Sequence, residues 1–198
     1  MSSTFDDLLF AVIDVEGNGQ QPPEIIEISI VPVDGMKVRE PATWLVKPER
    51  PITPIVTRKV HGIRNADVAD APTWAKVEPD VMATLADRVP VAHNARVEYD
   101  VLRRQTPGWV PERMLDTLRL ARAVWPGLRA YSLDRLMEHA RIVLDVDHGQ
   151  RHRARFDAQA TALLFIALAK AAGSPDRLFS LASLPGIAPD EEQQGELW

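Results

Sequence analysis

The 198-residue sequence has no cysteine, only five lysines and no long apolar run. Without cysteine, disulfides, thiolate zinc sites and cysteine nucleophiles are all excluded. No segment approaches the roughly 20 consecutive apolar residues of a membrane-spanning helix. The first residues also lack the basic stretch of a secretory signal peptide. We therefore expect a soluble cytoplasmic protein with no membrane partner.

The charge balance is acidic, with a net charge of −5, which argues against nonspecific coating of nucleic acid. Arginine nevertheless outnumbers lysine by 18 to 5, and the planar guanidinium suits phosphate. Several arginines gather near the candidate motifs described below: Arg96, Arg103, Arg104, Arg151, Arg153 and Arg155. A GC-rich coding sequence would produce the same bias, so both interpretations stay open.

Three strands are predicted in the first quarter of the chain. Residues 8–13 form a continuous apolar run, as expected for a strand that is buried on both faces. Residues 24–33 and 44–46 give a second and a third strand, and Asp34-Gly35 between them is a strong hairpin signal. These strands predict an antiparallel meander.

Helices and a further strand alternate in the rest of the chain. Residues 89–92 form a short buried strand, Pro79 opens a new segment after a helix that Thr73 caps, and Gly173 closes the last long helix. The helices are predicted at residues 73–78, 95–104, 115–124, 132–140 and 157–172. The pattern predicts an α/β domain over residues 1–174, with parallel strands following the meander in a mixed central sheet flanked by helices. Residues 175–198 are expected to form a short helix and a flexible acidic tail.

Asp14 and Glu16 occur directly after the first apolar run, in VIDVEG. Residues i and i+2 of a strand project from the same face, so the two carboxylates can share one metal ion. They also lie at the carboxyl end of a buried strand, where open α/β sheets usually place their sites. Alone, this pair is more typical of two solvated carboxylates that lead into a turn.

A second acidic position opens the last long helix at Asp157, and His152 lies five residues earlier. Taken alone, an aspartate at a helix start is normally a cap, and His152 is a surface histidine. His148 is the competing basic residue. Carboxylates that hold divalent cations, together with a histidine that takes a proton from water, are what metal-assisted phosphodiester hydrolysis requires.

Three motifs occur in a fixed order: D-x-E at residues 14–16, H-N-A at residues 93–95 and H-x-A-x-x-D-A at residues 152–158. With the segments VHGI, LDTLRLAR and YSLDRL, they make the chain resemble the DEDDh 3′-5′ exonucleases. That family includes epsilon-type proofreading subunits and RNase T-like enzymes. The resemblance covers roughly residues 8–170 and implies a ribonuclease-H-like fold.

The resemblance also implies the chemistry. Asp14, Glu16, Glu98 and Asp157 would hold two Mg²⁺ or Mn²⁺ ions, with Asp14 bridging both, and all-oxygen ligation favours these metals. His152, rather than His148, would be the general base, so activity should rise as His152 loses its proton. The substrate would be the 3′ end of single-stranded or frayed DNA or RNA, and the product a nucleoside 5′-monophosphate.

Glu98 departs from the family pattern, which has aspartate five residues after the histidine of H-N-A. Asp100 does not substitute for it, because two helical residues rotate the side chain by about 200°. Glutamate keeps the negative charge, but its carboxylate lies one methylene further from the backbone than that of aspartate. Either Glu98 still serves the second metal with an altered metal preference, or the chain is a weakened exonuclease fold. Such a fold would act as a nucleic-acid-binding module or as a module associated with a polymerase or clamp.

Further residues are assigned to the substrate by the same resemblance. Gly17 replaces the family's common threonine, and we hypothesise that it admits a 2′-hydroxylated sugar. A merely permissive turn is the alternative. His61 and Ile63 are expected to border the nucleotide pocket, and Asn94 to brace the H-N-A loop.

The acidic tail ends in tryptophan, and its last five residues are QGELW. Gln194, Leu197 and Trp198 resemble the Q-x-x-L-F peptide by which polymerases and repair enzymes bind the bacterial sliding clamp, with Trp in place of the usual Phe. The alternative is a tail that folds back on its own domain or on a dimer mate. Oligomeric state stays open, because RNase T-like relatives form homodimers and proofreading relatives pair with a polymerase.

Overall fold

A six-stranded mixed sheet forms the centre of the computed structural model, which describes residues 4–144 and 152–187. The strands are β1 (Leu9–Gly17), β2 (Ile25–Asp34), β3 (Lys37–Val38), β4 (Ala42–Leu45), β5 (Val89–Ala92) and β6 (Leu115–Asp116). Their order across the sheet is β3-β2-β1-β5-β6, and β4 also pairs with β2. β1 is antiparallel to β2 and parallel to β5, which is parallel to β6. The predicted mixed sheet is confirmed.

The meander has one more strand than the sequence predicted. The turn at Asp34-Gly35 leads into the two-residue β3, and the strand predicted at residues 44–46 runs from Ala42 to Leu45 instead. Both segments pair antiparallel with β2, at different points along its length. A two-residue strand carries too little alternation to be recognised in a sequence.

Helices cover both faces of the sheet. They are α1 (Pro54–Lys59), α2 (Trp74–Leu85), α3 (Arg96–Gln105), α4 (Thr117–Val124), α5 (Leu133–His139), α6 (Ala154–Ala172) and α7 (Pro175–Ala182), and a 3₁₀ turn spans Phe5–Asp7. α4, α5, α6 and α7 share one apolar cluster, whereas α2 and α3 contribute to another. Among the described residues no single helix is long and apolar enough to cross a membrane, although α6 and α7, bent by 115° at their junction, pass that test as a pair.

The alternation of β1 decides which face its polar residues take. Phe10 and Val12 are fully buried in the cluster beneath α6, whereas Ala11 and Ile13 are buried in the cluster of α2 and α3. Because successive side chains alternate in a strand, Asp14 continues the face that looks toward α6. The same alternation on β2 places Val31 and Val33 in the α6 cluster.

Helix α2 is longer than the sequence predicted, because Pro79 lies inside it instead of opening a new segment. A proline leaves the carbonyl four residues earlier without its helical donor. Here that carbonyl belongs to Ala75, and both residues are exposed, so water can satisfy it. Thr73 is the N-cap residue, as predicted, but its side chain makes no capping hydrogen bond.

Two other helix boundaries differ from the prediction. The segment predicted as one helix over residues 115–124 begins as β6, and Asp116 then caps α4 by accepting the Leu118 N–H at 2.8 Å. Helix α6 begins at Ala154, three residues earlier than predicted, and ends before Gly173, whose φ of 85° is left-handed. Asp157 therefore lies at the end of the first turn of α6 rather than at its start.

The residues after 174 begin with α7, which packs into the main core. Leu178 and Ala182 are fully buried in the cluster under α6, and the Leu184 N–H donates to the Met114 carbonyl at 2.8 Å. The predicted clamp-binding residues of the tail, and also His148 and Arg151, lie outside the described residues.

Candidate active site

Three carboxylates meet where β1 runs past the end of its neighbour. Asp14, Glu16 and Asp157 each offer an oxygen atom, and these atoms all lie within 4.8 Å of one another. β5 pairs only with the first part of β1, through Val12, so the end of β1 is open on that side. The sequence predicted this grouping, and the structure brings these three residues together.

The backbone that carries the first two carboxylates is held firmly. β1 stays paired with β2 along its whole length, with Asp14 opposite Ser29 and Glu16 opposite Glu27. The register shifts only after Glu16, at Gly17. Asp157 comes from α6, which packs across β1 and β2 on the same face. The cluster is thus defined by a strand pair and one helix.

Glu98 approaches the cluster from α3 without joining the group of three. Its side chain is buried, and Leu102, one turn later on the same helix, is fully buried in the cluster against β1. Oε2 of Glu98 is buried and has no hydrogen-bond partner among the described residues. Burial raises the pKa of Glu98 to about 8, with a further contribution from Asp116. An unpaired buried carboxylate oxygen is costly unless a ligand completes it.

Asp14 and Glu16 also resist ionisation. Burial raises the pKa of Asp14 well above its ordinary value, and the charges of Glu98, Asp157 and Glu16 raise it further. Burial raises the pKa of Glu16 to about 8, together with Asp157 and Glu27, while Arg153 acts in the opposite direction. A divalent cation would relieve this repulsion, and an all-oxygen donor set suits Mg²⁺ or Mn²⁺. The residues present therefore fit the metal site that the sequence predicted.

His152 lies on the loop that enters α6. It is exposed, and its backbone has a left-handed φ of 60°, which a residue other than glycine adopts rarely. The two residues that follow it, Arg153 and Ala154, are the N-cap and first residue of α6. His152 is thus tied to the start of the helix that carries Asp157, while its side chain stays open to solvent.

An ion pair that no local sequence pattern predicts lies beside the cluster. Glu27 on β2 is only 2% exposed, and its carboxylate accepts hydrogen bonds from the guanidinium of Arg153 and from the Ala154 N–H. The contact joins residues 126 positions apart along the chain. Only the arginine-rich character of the His152 loop hinted at it.

The loop after Glu16 is held by a histidine. The His61 Nε2–H donates to the Gly17 carbonyl at 3.2 Å, and His61 Nδ1 accepts the Ile63 N–H at 3.0 Å. These partners fix the neutral Nε2–H tautomer, and burial lowers the pKa of His61. Ile63 is itself buried against Ile26 and Ile52. His61 therefore supports this loop, and direct contact of His61 or Ile63 with a nucleotide stays a prediction.

Asn94 lies at the turn between β5 and α3. Its φ of 65° is left-handed, and its N–H donates to Asp116 Oδ1 at 3.1 Å. The neighbouring His93 bonds through its two ring nitrogens to the Thr117 hydroxyl and the Tyr131 carbonyl. The H-N-A loop, which directs Glu98 inward, is thus fixed to β6, α4 and the segment before α5.

Comparison with known proteins is consistent with this geometry. The model of the exonuclease family RNase_T matches residues 11–165. Exodeoxyribonuclease 10 of Escherichia coli (strain K12) is 34% identical over 181 residues, which cover 90% of this chain and 77% of that protein. The PolC-type DNA polymerase III of Thermotoga maritima is 35% identical over 170 residues, or 83% of this chain, but the match spans only 12% of the polymerase.

A solved structure supports the same relationship. Exonuclease X in complex with 5′ overhanging duplex DNA superimposes with a TM-score of 0.73 at 32% sequence identity, covering 87% of this chain and 98% of that chain. The predicted ribonuclease-H-like fold and the predicted family are therefore confirmed. With the acidic cluster formed by the motifs of that family, this chain belongs to the DEDDh 3′-5′ exonucleases.

Proposed function

We propose that this protein hydrolyses phosphodiester bonds from the 3′ end of single-stranded or frayed nucleic acid and releases nucleoside 5′-monophosphates. The observation that carries the proposal is the meeting of Asp14, Glu16 and Asp157 within 4.8 Å at the open end of β1. A nucleic-acid substrate is supported by the names of two relatives, exodeoxyribonuclease 10 and an exonuclease X bound to DNA.

Asp14, Glu16 and Asp157 would hold divalent cations, Mg²⁺ or Mn²⁺, and Glu98 would serve the second of two ions directly or through water. Support comes from the raised pKa values of Asp14, Glu16 and Glu98. It also comes from Glu98 Oε2, which has no hydrogen-bond partner in the part of the chain that the structure describes. Two such ions, when bound, stabilise the charge on the attacking and leaving oxygens of an in-line displacement.

His152 would accept the proton of the attacking water. Its exposure leaves the ring accessible to water, and its place before α6 ties it to the helix of Asp157. Only the neutral imidazole can accept a proton, so His152 acts as the base in its unprotonated form.

The 3′ nucleotide would lie against the loop that follows Glu16. Gly17 has no side chain there, and His61 holds the Gly17 carbonyl in place by a hydrogen bond. The backbone of the loop would therefore be exposed to the sugar of the bound nucleotide. We assign three residues to the structure around this pocket: His61, Ile63 and Asn94. The proposal includes both DNA and RNA, since a glycine at this position leaves room for a 2′-hydroxyl.

The alternative is a weakened exonuclease fold that binds nucleic acid or associates with a polymerase or clamp. One observation favours it, namely that Glu98 stands outside the group of three carboxylates. If its extra methylene prevents metal binding, the chain would retain binding without turnover.

Partners beyond nucleic acid are proposals of the same kind. We propose that a bacterial sliding clamp binds the C-terminal residues Gln194, Leu197 and Trp198. We also propose that the protein forms a homodimer and that it is located in the cytoplasm. Calorimetry with clamp, using a variant truncated after residue 187 as control, tests the first. Equal heats of clamp binding for the full chain and the truncated variant would show that the C-terminal residues do not bind the clamp.

The central experiment uses a 5′-labelled single-stranded oligonucleotide with Mg²⁺ or Mn²⁺. We expect a ladder that shortens from the 3′ end, release of 5′-monophosphates and complete inhibition by chelator. Asp14→Asn should abolish the ladder, whereas Asp100→Asn, at an exposed position on α3, should not. Tight oligonucleotide binding without any shortening would support the alternative.

A further inference from the structure

We propose that Glu27 and Arg153 are positioning residues that fix the start of α6 on the sheet, and so set the distance from Asp157 to Asp14 and Glu16. The inference rests on the proposed function, because it concerns the same metal-binding cluster. It assigns a task to a buried carboxylate that lies beside the cluster without belonging to it.

Glu27 lies where a further metal ligand could be expected. It is directly opposite Glu16 in the β1–β2 register, and directly opposite residues point from the same face of a sheet. It is 2% exposed, and its charge contributes to the raised pKa of Glu16. A buried carboxylate in this position must either bind a cation or be satisfied by the protein.

The contacts of Glu27 show that the protein satisfies it. The Arg153 Nε–H donates to Oε2 at 3.0 Å, Arg153 Nη2 donates to Oε1 at 2.5 Å, and the Ala154 N–H donates to Oε2 at 2.9 Å. Both oxygens are therefore occupied by donors from the start of α6. The pairing is bidentate, which fixes direction as well as distance.

Glu27 thereby acts as the cap of a helix to which it does not belong. The first N–H groups of any helix lack intrahelical partners, and the side chain of the N-cap residue Arg153 makes no capping hydrogen bond. Glu27 supplies the missing acceptor to Ala154 from a neighbouring strand. Asp157 lies one turn further, and its N–H bonds to the Arg153 carbonyl at 3.1 Å.

The contacts form a continuous path from Glu16 to Asp157. Glu16 is fixed to Glu27 by strand pairing, Glu27 is fixed to Arg153 by the ion pair, and Arg153 is fixed to Asp157 by the first turn of α6. His152 directly precedes Arg153, so the same ion pair also anchors the residue proposed as the base. Loss of the pair would let the first turn of α6 shift relative to β1.

Substitutions that break the pair without removing a metal ligand test the inference. Glu27→Gln keeps the shape but turns an amide N–H₂ toward donors, and Arg153→Met removes the guanidinium. Arg153→Lys keeps the charge without the bidentate geometry, and it provides the test if Glu27→Gln does not fold. Lys170→Met, at the exposed far end of α6, is the matched control for loss of a cation.

Calorimetry with Mn²⁺ is the main measurement, made on variants that unfold cooperatively. We expect Glu27→Gln and Arg153→Met to weaken Mn²⁺ binding by about 10- to 100-fold, as is usual for residues that orient metal ligands. We also expect kcat to fall while KM for the oligonucleotide changes little, and excess Mn²⁺ to restore part of kcat. Arg153→Lys should be intermediate, and Lys170→Met should match the wild type.

Several results separate this inference from the proposed function. If the folded Glu27→Gln variant, or Arg153→Lys in its place, keeps wild-type Mn²⁺ affinity and kcat, the inference is overturned. An equal loss in Lys170→Met overturns it too, because net charge would then be the cause. If the wild type binds Mn²⁺ but hydrolyses no oligonucleotide, only the proposed exonuclease function is overturned. The Mn²⁺ affinities of the variants then still test the role of Glu27 and Arg153. A wild type that binds no Mn²⁺ overturns both.

Discussion

Glu98 on α3 is the charged neighbour that contributes most, after burial itself, to the raised pKa of Asp14 on β1. The two carboxylates come from separate elements, yet they are electrostatically coupled in the interior of the site. Oε2 of Glu98 has no hydrogen-bond partner among the described residues. Glu98 therefore lies near enough to Asp14 to affect its ionisation, although it stands outside the group of three carboxylates.

Substitution of Glu98 should show how far this coupling matters for catalysis. We expect Glu98→Ala to lower kcat by about 10- to 100-fold or more, because a carboxylate at the second metal would be lost. Glu98→Asp should remain active but change the ratio of rates in Mg²⁺ and Mn²⁺, since its carboxylate is drawn back by one methylene. Steady-state hydrolysis of a labelled oligonucleotide in each metal measures both effects.

Asp100→Asn provides the control, because it removes an exposed carboxylate from the same helix. It should leave both the rate and the metal ratio unchanged. A Glu98→Ala variant as active as the wild type would show that Glu98 has no part in the reaction.

The metal-free protein should lose stability as the pH rises. The pKa values of Glu16 and Glu98 are raised from 4.5 to about 8, so the folded state retains protons that the unfolded chain has released. Their contribution is fully present below pH 4.5 and is lost as the pH approaches 8. In chelator, the free energy of unfolding should fall by on the order of a few kcal/mol over this range.

Urea unfolding at a series of pH values measures this loss. Glu16→Gln should show a smaller decline than the wild type, because the amide does not ionise. In the wild type, saturating Mn²⁺ should abolish most of the decrease in the free energy of unfolding with pH. In Glu16→Gln, the same Mn²⁺ concentration should abolish a much smaller part of that decrease. Parallel pH profiles for the two proteins in chelator would contradict the account of Glu16.

His61 should stabilise the protein through its neutral form. Burial lowers its pKa below 6.5, and a protonated ring could not accept the Ile63 N–H. The contribution is therefore present above pH 6.5 and is lost as the pH falls through the lowered pKa. We expect His61→Leu to cost about 1–3 kcal/mol at pH 7, because it leaves the Gly17 carbonyl and the Ile63 N–H unpaired.

Chemical denaturation checks this value, with His139→Leu at an exposed position on α5 as the comparison. His61→Leu should also lose the acid-dependent destabilisation that His61 causes, whereas His139→Leu should retain it. Unchanged stability of His61→Leu at pH 7 would mean that the Gly17 loop does not depend on this ring.

Gly17→Thr should alter the preference between DNA and RNA. The φ of Gly17 is not positive, so its backbone accepts a side chain, although a Cβ would lie 3.3 Å from that of Pro23. The added threonine would narrow the space next to the terminal sugar. We expect RNA degradation to slow more than DNA degradation in matched oligomers. Equal rates of DNA and RNA degradation in both the wild type and Gly17→Thr would show that Gly17 does not affect the choice of sugar.

The acidic cluster could be predicted from the sequence because its members belong to strong local patterns. Asp14 and Glu16 end a continuous apolar strand, and Asp157 lies in the first turn of the longest apolar helix. Such periodicity identifies the elements, and the order of motifs identifies the family. The mixed sheet followed from the same signals.

The pair of Glu27 and Arg153 could not be predicted, because it depends on relations between distant elements. The β1–β2 register decides that Glu27 stands opposite Glu16, and the packing of α6 across both strands brings Arg153 to it. Neither relation has a local sequence signal. For the same reason the sequence predicts too late a start for α6, because the cap of this helix comes from β2 and not from the residues before the helix.

The most direct test of the metal site is a crystal structure with Mn²⁺ and a nucleoside 5′-monophosphate, in which anomalous scattering locates the ions. We expect two Mn²⁺ ions, with Asp14 bound to both, Glu16 and Asp157 as further ligands, and Glu98 reaching the second ion directly or through one water. Mn²⁺ bound elsewhere, with Asp14 and Asp157 free of metal at saturating concentration, would contradict this expectation.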